Sequence, residues 1–408
     1  MKINKKHLRF FKKIWKPPVV LIWKEVFSIK FVCELCGNED PKYIGYRNGS
    51  PYCRKCISFI GENAEKDSIK YDRKGILHLN YPLTEDQDRV SKEVLNNYKE
   101  GKNTLIYAVC GAGKTELVYR VIDYALKNKL TVGFAIPRRD VVIELAKRME
   151  SAFKGYIVTC VYGGNNSLLV GDIVCLTTHQ LYRYKNYFDL LILDEIDAFP
   201  YKGNEVLNNI FKRSIKGHYI LMSATPSKKE IEEFNSGNNK MVTLFKRHHG
   251  RPIPVPKIKV MPSIFSYWFL IKKTNEFINK GKPLLIFVPT IFDCKNVYFL
   301  LKNFAKQGFL VHSQRKDREQ IIDDFRTKKY KYLVTTAVLE RGVTLKDLQV
   351  IIFKADSEIY SSSALIQISG RVGRVNDAPD GEIIYIGKRK TKEMLESIET
   401  IKHANESL

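Results

Sequence analysis

Ala108-Val-Cys-Gly-Ala-Gly-Lys-Thr115 decides how this 408-residue chain is to be read. It follows a short apolar run (residues 105–109) and opens an amphipathic pattern of helical period (116–127). Strand, glycine-rich turn and helix together form the context in which a backbone can close on phosphate. The amides of Gly111, Ala112 and Gly113 can approach phosphate oxygens because two of the three residues carry no side chain. Lys114 would neutralise the β and γ phosphates, and the Thr115 hydroxyl would ligate Mg²⁺. Ala108 stands where the usual pattern has its first glycine, so the strict form is not met.

Working outward, residues 190–193 read as a buried strand ending in Asp194-Glu-Ile-Asp197. Carboxylates at the end of a buried strand are costly unless something pairs with them. A metal supplies the reason, with Asp194 as a Mg²⁺ ligand, direct or through water, and Glu195 as the group that polarises an attacking water. Far downstream, Gln367-Ile-Ser-Gly-Arg-Val-Gly-Arg374 sits near the end of a helical pattern. Arg371 and Arg374, three apart, are expected to share one helical face. Their guanidinium forks suit the spread charge of a phosphoryl transition state, and Gln367 could orient water. Standing alone, the stretch would read almost as readily as a basic helix end favoured by the helix dipole.

Around these motifs, short apolar runs alternate with longer amphipathic ones. Residues 105–109, 131–136, 157–161, 173–176, 190–193 and 219–222 read as buried parallel strands, with helices at 116–127 and 138–150 among the segments between. Arg251-Pro-Ile-Pro-Val-Pro256 is an extended linker. Alternation then resumes at 284–288, 309–311, 332–335, 350–353 and 383–386. The expectation is α/β: two parallel-sheet domains in tandem, residues 76–250 and 251–408, behind a cysteine module at 31–75 and a basic arm at 1–30.

Composition narrows the partners. Sixty-eight Lys and Arg against 44 Asp and Glu give a formal charge of +24, which favours polyanions, either nucleic acid or an acidic membrane surface. No apolar run approaches the roughly 18 residues of a membrane-spanning helix, and the stretch 19–23 lacks a signal-peptide cleavage site. Residues 1–30 hold nine Lys or Arg and one acid among several aromatics, and read as a DNA clamp, a membrane-surface tether or a solvated tail. Cys33, Cys36, Cys53 and Cys56 form two CxxC pairs with sixteen residues between them, a spacing that suits a structural zinc site, with an iron–sulfur cluster as the alternative. Lys42, Arg47, Arg54 and Lys55 with Tyr43, Tyr46 and Tyr52 surround it, so the module either touches DNA or anchors the arm. Cys110, Cys160, Cys175 and Cys294 are scattered in apolar surroundings, as buried thiols in a reducing compartment would be.

In order and content these motifs resemble those of superfamily 2 helicases and translocases, over roughly residues 80–390. That resemblance implies two RecA-like domains with ATP and Mg²⁺ between them, and a nucleic-acid-stimulated ATPase. Ser223-Ala-Thr225 is similar to the element coupling hydrolysis to nucleic-acid binding. Ala135-Ile-Pro-Arg-Arg139, Thr177-Thr-His-Gln-Leu181 and Thr335-Thr-Ala-Val-Leu-Glu-Arg-Gly-Val-Thr344 are similar to strand-contacting elements, with Thr336 facing phosphates. Leu83-Thr-Glu-Asp-Gln87 looks like the adenine-reading element, although Thr84 and Gln87 fit a helix capping box equally well. The cysteine module ahead of the first domain, together with Leu339-Glu-Arg-Gly-Val-Thr344, resembles the ComFA family, late-competence ATPases of naturally transformable bacteria. That family implies a cytosolic protein at the inner face of the membrane, peripheral contact with that membrane, competence-protein partners and import of single-stranded DNA. A PriA-like unwinding helicase for restart or repair is the alternative, though PriA carries its cysteines within the core. A zinc-anchored nucleic-acid scaffold without ATPase activity is the alternative from another class. Thr344 stands where RNA-remodelling relatives usually have Asp, which argues against RNA.

Overall fold

A computed structural model describes residues 31–65, 74–79, 81–247, 250–336, 345–374 and 380–406. The basic arm and the 337–344 part of the strand-contacting stretch lie outside the described residues. The cysteine module carries a hairpin of β1 (Ile44–Arg47) and β2 (Ser50–Cys53), and β3 (Ile76–Leu77) follows it. The first large unit holds β4 (Thr104–Ala108), β5 (Val132–Ile136), β6 (Phe153–Lys154), β7 (Val158–Val161), β8 (Ile173–Thr177), β9 (Phe188–Asp194), β10 (Ile215–Ser223) and β11 (Lys240–Leu244). Seven of these form one parallel sheet in the order β11-β4-β10-β9-β5-β8-β7, while β6 pairs with β3 apart from it. The second unit holds β12 (Lys257–Val260), β13 (Leu284–Phe287), β14 (Gly308–Val311), β15 (Tyr332–Thr335), β16 (Gln349–Phe353) and β17 (Ile383–Gly387), in the parallel order β12-β17-β16-β13-β15-β14.

The strands are almost wholly apolar because helices cover both faces. Alternate side chains therefore go to opposite cores. Ile106, Leu190 and Ile192 enter one core of the first sheet, while Leu105, Leu191 and Leu193 enter the other. In the second sheet Leu285 and Phe287 face one way, Leu284 and Ile286 the other. The tandem parallel α/β architecture expected from the alternation is what the chain adopts.

Three adjacent strands position the chemistry. β10 lies between β4 and β9, and all three run parallel, with Ser223 opposite Tyr107 and Met222 opposite Asp194. The phosphate loop leaves β4, Ser223-Ala-Thr225 closes β10, and Asp194–Asp197 leaves β9. In-register parallel strands deliver all three to one edge, with neighbouring strands about 4.8 Å apart.

The units meet through specific contacts as well. Asp140 and Arg318 form an ion pair across the gap. At the linker, Asn405 Oδ1 accepts from the Ile253 amide and Asn405 Nδ2 donates to the Ile253 carbonyl, both at 2.9 Å. Ile401 and Ala404 of the helix Lys392–Glu406 complete the packing there, in the core of the first unit.

Candidate nucleotide cleft and cysteine cluster

The phosphate loop is shaped by its glycines. Gly111 (φ 88°) and Gly113 (φ 76°) occupy the left-handed region. A Cβ on Gly113 would also lie 2.5 Å from Gln87 Nε2 and would push that amide off the Ala112 carbonyl. Ala108 still belongs to β4 and has no positive φ, so the missing first glycine is not demanded by backbone shape. After the loop the helical pattern forms two segments, Lys114–Leu117 and Tyr119–Lys127, rather than one, breaking at Val118.

A cavity of about 240 Å³ opens between the two units. Its walls include Gly111, Gly113, Lys114 and Thr115 from the loop, Asp194 and Glu195 after β9, and Gln367, Arg371 and Arg374 from the second unit. Ala112 is not on its wall. It is fully buried beneath the loop, and its amide donates to the Val109 carbonyl at 3.2 Å. Gln87 is 6% exposed and lines an adjoining hollow with Tyr81, Pro82 and Leu83. It makes the capping box: Gln87 Oε1 accepts from the Thr84 amide and the Gln87 amide donates to Thr84 Oγ1. Its Nε2 also donates to the Ala112 carbonyl at 2.8 Å, tying the helix Glu85–Lys99 to the phosphate loop.

Glu195 is held in the left-handed region at φ 62°, and its amide donates to Asp194 Oδ1 at 2.8 Å. A non-glycine residue there stores about 1–2 kcal/mol. That shape turns the chain sharply at the strand end and brings both carboxylates to the cleft. Asp197, given no role of its own by sequence, proves to be a hub. Its Oδ2 accepts from Thr225 Oγ1, Ser363 Oγ and Gln367 Nε2, each at 2.8 Å. The Asp194–Asp197 stretch, the Ser223–Thr225 stretch and the second unit are thereby joined at one buried oxygen. This contact gives Gln367 a bridging position beside the cleft. Ser363 lies four residues before it on the helix Ser362–Ser369, the one local spacing that could have signalled the pair.

The spacing of Arg371 and Arg374 predicts one shared helical face, and that face does not form. The helix ends at Ser369, and both arginines lie in the turn beyond it. A glycine at 370 and another at 373, the latter with φ 66°, end the helix early. The turn nevertheless sets both arginines on the wall of the cleft, and Arg371 is 2% exposed. Gly370 presses on the phosphate loop: a Cβ there would lie 2.6 Å from Cys110 Cβ. Gly370→Ala is therefore expected to wedge the two units apart. It should lower ATP turnover at least tenfold without lowering the melting temperature by more than a few degrees. Measuring both separates wedging from unfolding.

In the cysteine module the four Sγ atoms lie within 4.8 Å of one another, and every one of these residues is buried. Cys33 and Cys56 are 3.4 Å apart and Cys36 and Cys53 3.6 Å, close to the edge of about 3.8 Å in a zinc–thiolate tetrahedron. The donor set fits a tetrahedral thiophilic metal. The hairpin offers less to a base than its sequence implied. Tyr52 lies over Gly45, and Tyr43 lies under Lys42 and Lys55, leaving Tyr46 as the exposed ring at 73%. The module is fastened to the first unit at the 3-10 segment Thr178–Arg183. Phe59 stacks on His179, Tyr182 Oη donates to the Ile60 carbonyl at 2.8 Å, and Arg183 Nη1 donates to the Glu62 carbonyl at 2.6 Å. Asn209 Nδ2 reaches the Cys36 carbonyl at 2.7 Å. The segment that carries most of Thr177-Thr-His-Gln-Leu181 is thus the module's seat. Thr336 is buried at the end of β15.

Residues 84–234 match the DEAD/DEAH box helicase family and residues 269–376 the helicase conserved C-terminal domain. The molecule is a superfamily 2 helicase-type protein with two RecA-like domains, a class that implies ATP and Mg²⁺. It is 33% identical to the competence protein ComFA of Bacillus subtilis (strain 168), over 92% of this chain and 86% of that one. It is 32% identical to the competence protein ComFA of Streptococcus pneumoniae (strain ATCC BAA-255 / R6), over 92% and 90%. The chain belongs to the ComFA family. Among solved structures, S. cerevisiae Dbp5 bound to RNA and ADP BeF3 shares the fold, with a TM-score of 0.60 at 18% identity over 80% of this chain and 88% of that one. No helix among the described residues is long and apolar enough to cross a membrane.

Proposed function

We propose that this protein is an ATP-driven translocase on single-stranded DNA that serves uptake of transforming DNA. The observation that carries the reading is the Asp197 hub, which ties the water-activating strand end to the second domain across the cleft. A site built from both domains changes shape as nucleotide turns over, and that motion is what moves a strand. Lys114 and the amides of Gly111 and Gly113 hold the phosphates, while the Ala112 amide is taken by the Val109 carbonyl. Thr115 and Asp194 would hold Mg²⁺, which would shield the phosphate charge. Glu195 takes the proton from the attacking water, and Arg371 and Arg374 steady the charge that builds on the phosphoryl oxygens. Membership of the competence family and the net charge of +24 support a DNA strand as the partner, with competence proteins and the inner face of the membrane as its setting. Adding single-stranded DNA, duplex DNA and RNA in turn to an ATPase assay tests this. Single-stranded DNA should stimulate most, and a rate indifferent to it would reject the reading. Fork unwinding measured in parallel distinguishes a translocase from a PriA-like helicase.

Cys33, Cys36, Cys53 and Cys56 would hold zinc in this reading, and the metal would supply structure, because four thiolates leave no position for water. Some thirty residues bury little core, so the metal should carry much of the module's folding free energy. One zinc per chain is expected, lost on changing any of Cys33, Cys36, Cys53 or Cys56 to Ser. Metal analysis finding iron, or a folded module without metal, would overturn this. Because the module sits on residues 178–183, Phe59→Ala should lower DNA-stimulated ATPase severalfold and leave the unstimulated rate near normal.

A further inference from the structure

Arg247 follows β11 at the end of the first domain and carries no motif, yet it is 2% exposed. Its guanidinium crosses to the second domain and takes hold of the turn that bears the two cleft arginines. Arg247 Nη1 donates to the carbonyls of Val372 at 2.9 Å and Gly373 at 2.8 Å, and Nη2 donates to the carbonyl of Gly370 at 3.2 Å. Those three carbonyls flank Arg371 and directly precede Arg374. The third edge of the fork, Nε, has no partner among the described residues. It faces the phosphate loop: a Cβ built on Gly111 would lie 3.6 Å from it.

No carboxylate among the described residues pairs with this guanidinium. Burial, and then Arg374 beside it, pull its pKa down to about 10. A buried cation without an acid is costly, and an apolar residue of similar size would hold two surfaces together more cheaply. What an apolar residue cannot do is fix the direction of three carbonyls in a turn. A planar fork with donors at set angles can, and lysine cannot.

We propose that Arg247 is a positioning residue for hydrolysis: it holds the 370–373 turn in the shape that presents Arg371 and Arg374 to the phosphates. It touches neither reacting atom and acts through the turn. The inference rests on the arginine roles stated above, and the experiment keeps the two apart.

The test measures steady-state ATPase and melting temperature for Arg247→Ala, Arg247→Lys, Arg371→Ala and the double variant Arg247→Ala/Arg371→Ala, in the full chain. Displacing a catalytic group by about 1 Å costs roughly 10²-fold in rate. Arg247→Ala should therefore lose about 10²-fold in kcat with the KM for ATP nearly unchanged. Arg247→Lys should recover only part of this. The double variant should be slower than Arg371→Ala alone only by the share that a misplaced Arg374 costs, so the two losses should fall well short of multiplying. A folded Arg247→Ala protein with wild-type kcat, or losses that multiply in the double variant, would overturn the proposal. If Arg247→Ala does not fold, Arg247→Lys decides: a wild-type kcat there overturns it, and a reduced kcat at normal KM supports it. A wild-type kcat in Arg371→Ala would instead sink the underlying arginine roles.

Discussion

Arg371→Ala is expected to lower kcat by about 10³–10⁵-fold while ATP binding stays close to wild type. The residue is 2% exposed, follows the glycine that abuts Cys110, and opens onto the cleft. In the proposed role its interaction is strongest when charge spreads over the transferring phosphoryl group, so its loss should fall on kcat rather than on binding. Steady-state rates with a direct nucleotide-binding measurement check this. A raised KM with unchanged kcat would show that Arg371 binds ground-state phosphate and nothing more.

Glu195→Gln is the second large effect. The amide has the size of the carboxylate, can occupy the same φ of 62°, and leaves the amide donation to Asp194 in place. It cannot accept a proton from water. The expected loss is about 10²–10⁴-fold in kcat, with unchanged melting temperature and undiminished ATP affinity. The variant should therefore hold ATP on the protein and keep the domains closed on it. A rate within tenfold of wild type would mean that another group takes the proton.

The two lines of chemistry differ in how visible they were in the sequence. The strand–turn–helix around residues 108–115 is a local device whose glycines fall within eight residues, so its shape can be read from spacing alone. The covered strands are equally plain, because a run such as Leu190–Leu193 buried on both faces has to be apolar throughout. Edge strands carry a weaker signal. β11 and β12 each open on a lysine and lie beside the proline linker, and neither stood out as a strand. Helical spacing puts Arg371 and Arg374 on one face, but it says nothing of the two glycines that stop the helix at Ser369. Asp197 and Arg247 could not be read at all. Their partners in the second domain lie more than a hundred residues away, and contact across two domains leaves no periodicity in either. The seat of the cysteine module on residues 178–183 was hidden for the same reason.

The pairing of Asn405 with Ile253 has a kinetic consequence. The two domains are tied both by the linker and by the last helix folding back on it, so releasing nucleotide calls for a swing and not a parting. A group held on such a short tether returns to its partner at an effective concentration on the order of millimolar. Bringing Arg371 back over a fresh nucleotide is then a unimolecular event within one chain. Basal turnover should be first order in protein, falling in strict proportion on dilution, and loosening the tie with Asn405→Ala should slow each return without making it depend on a second molecule.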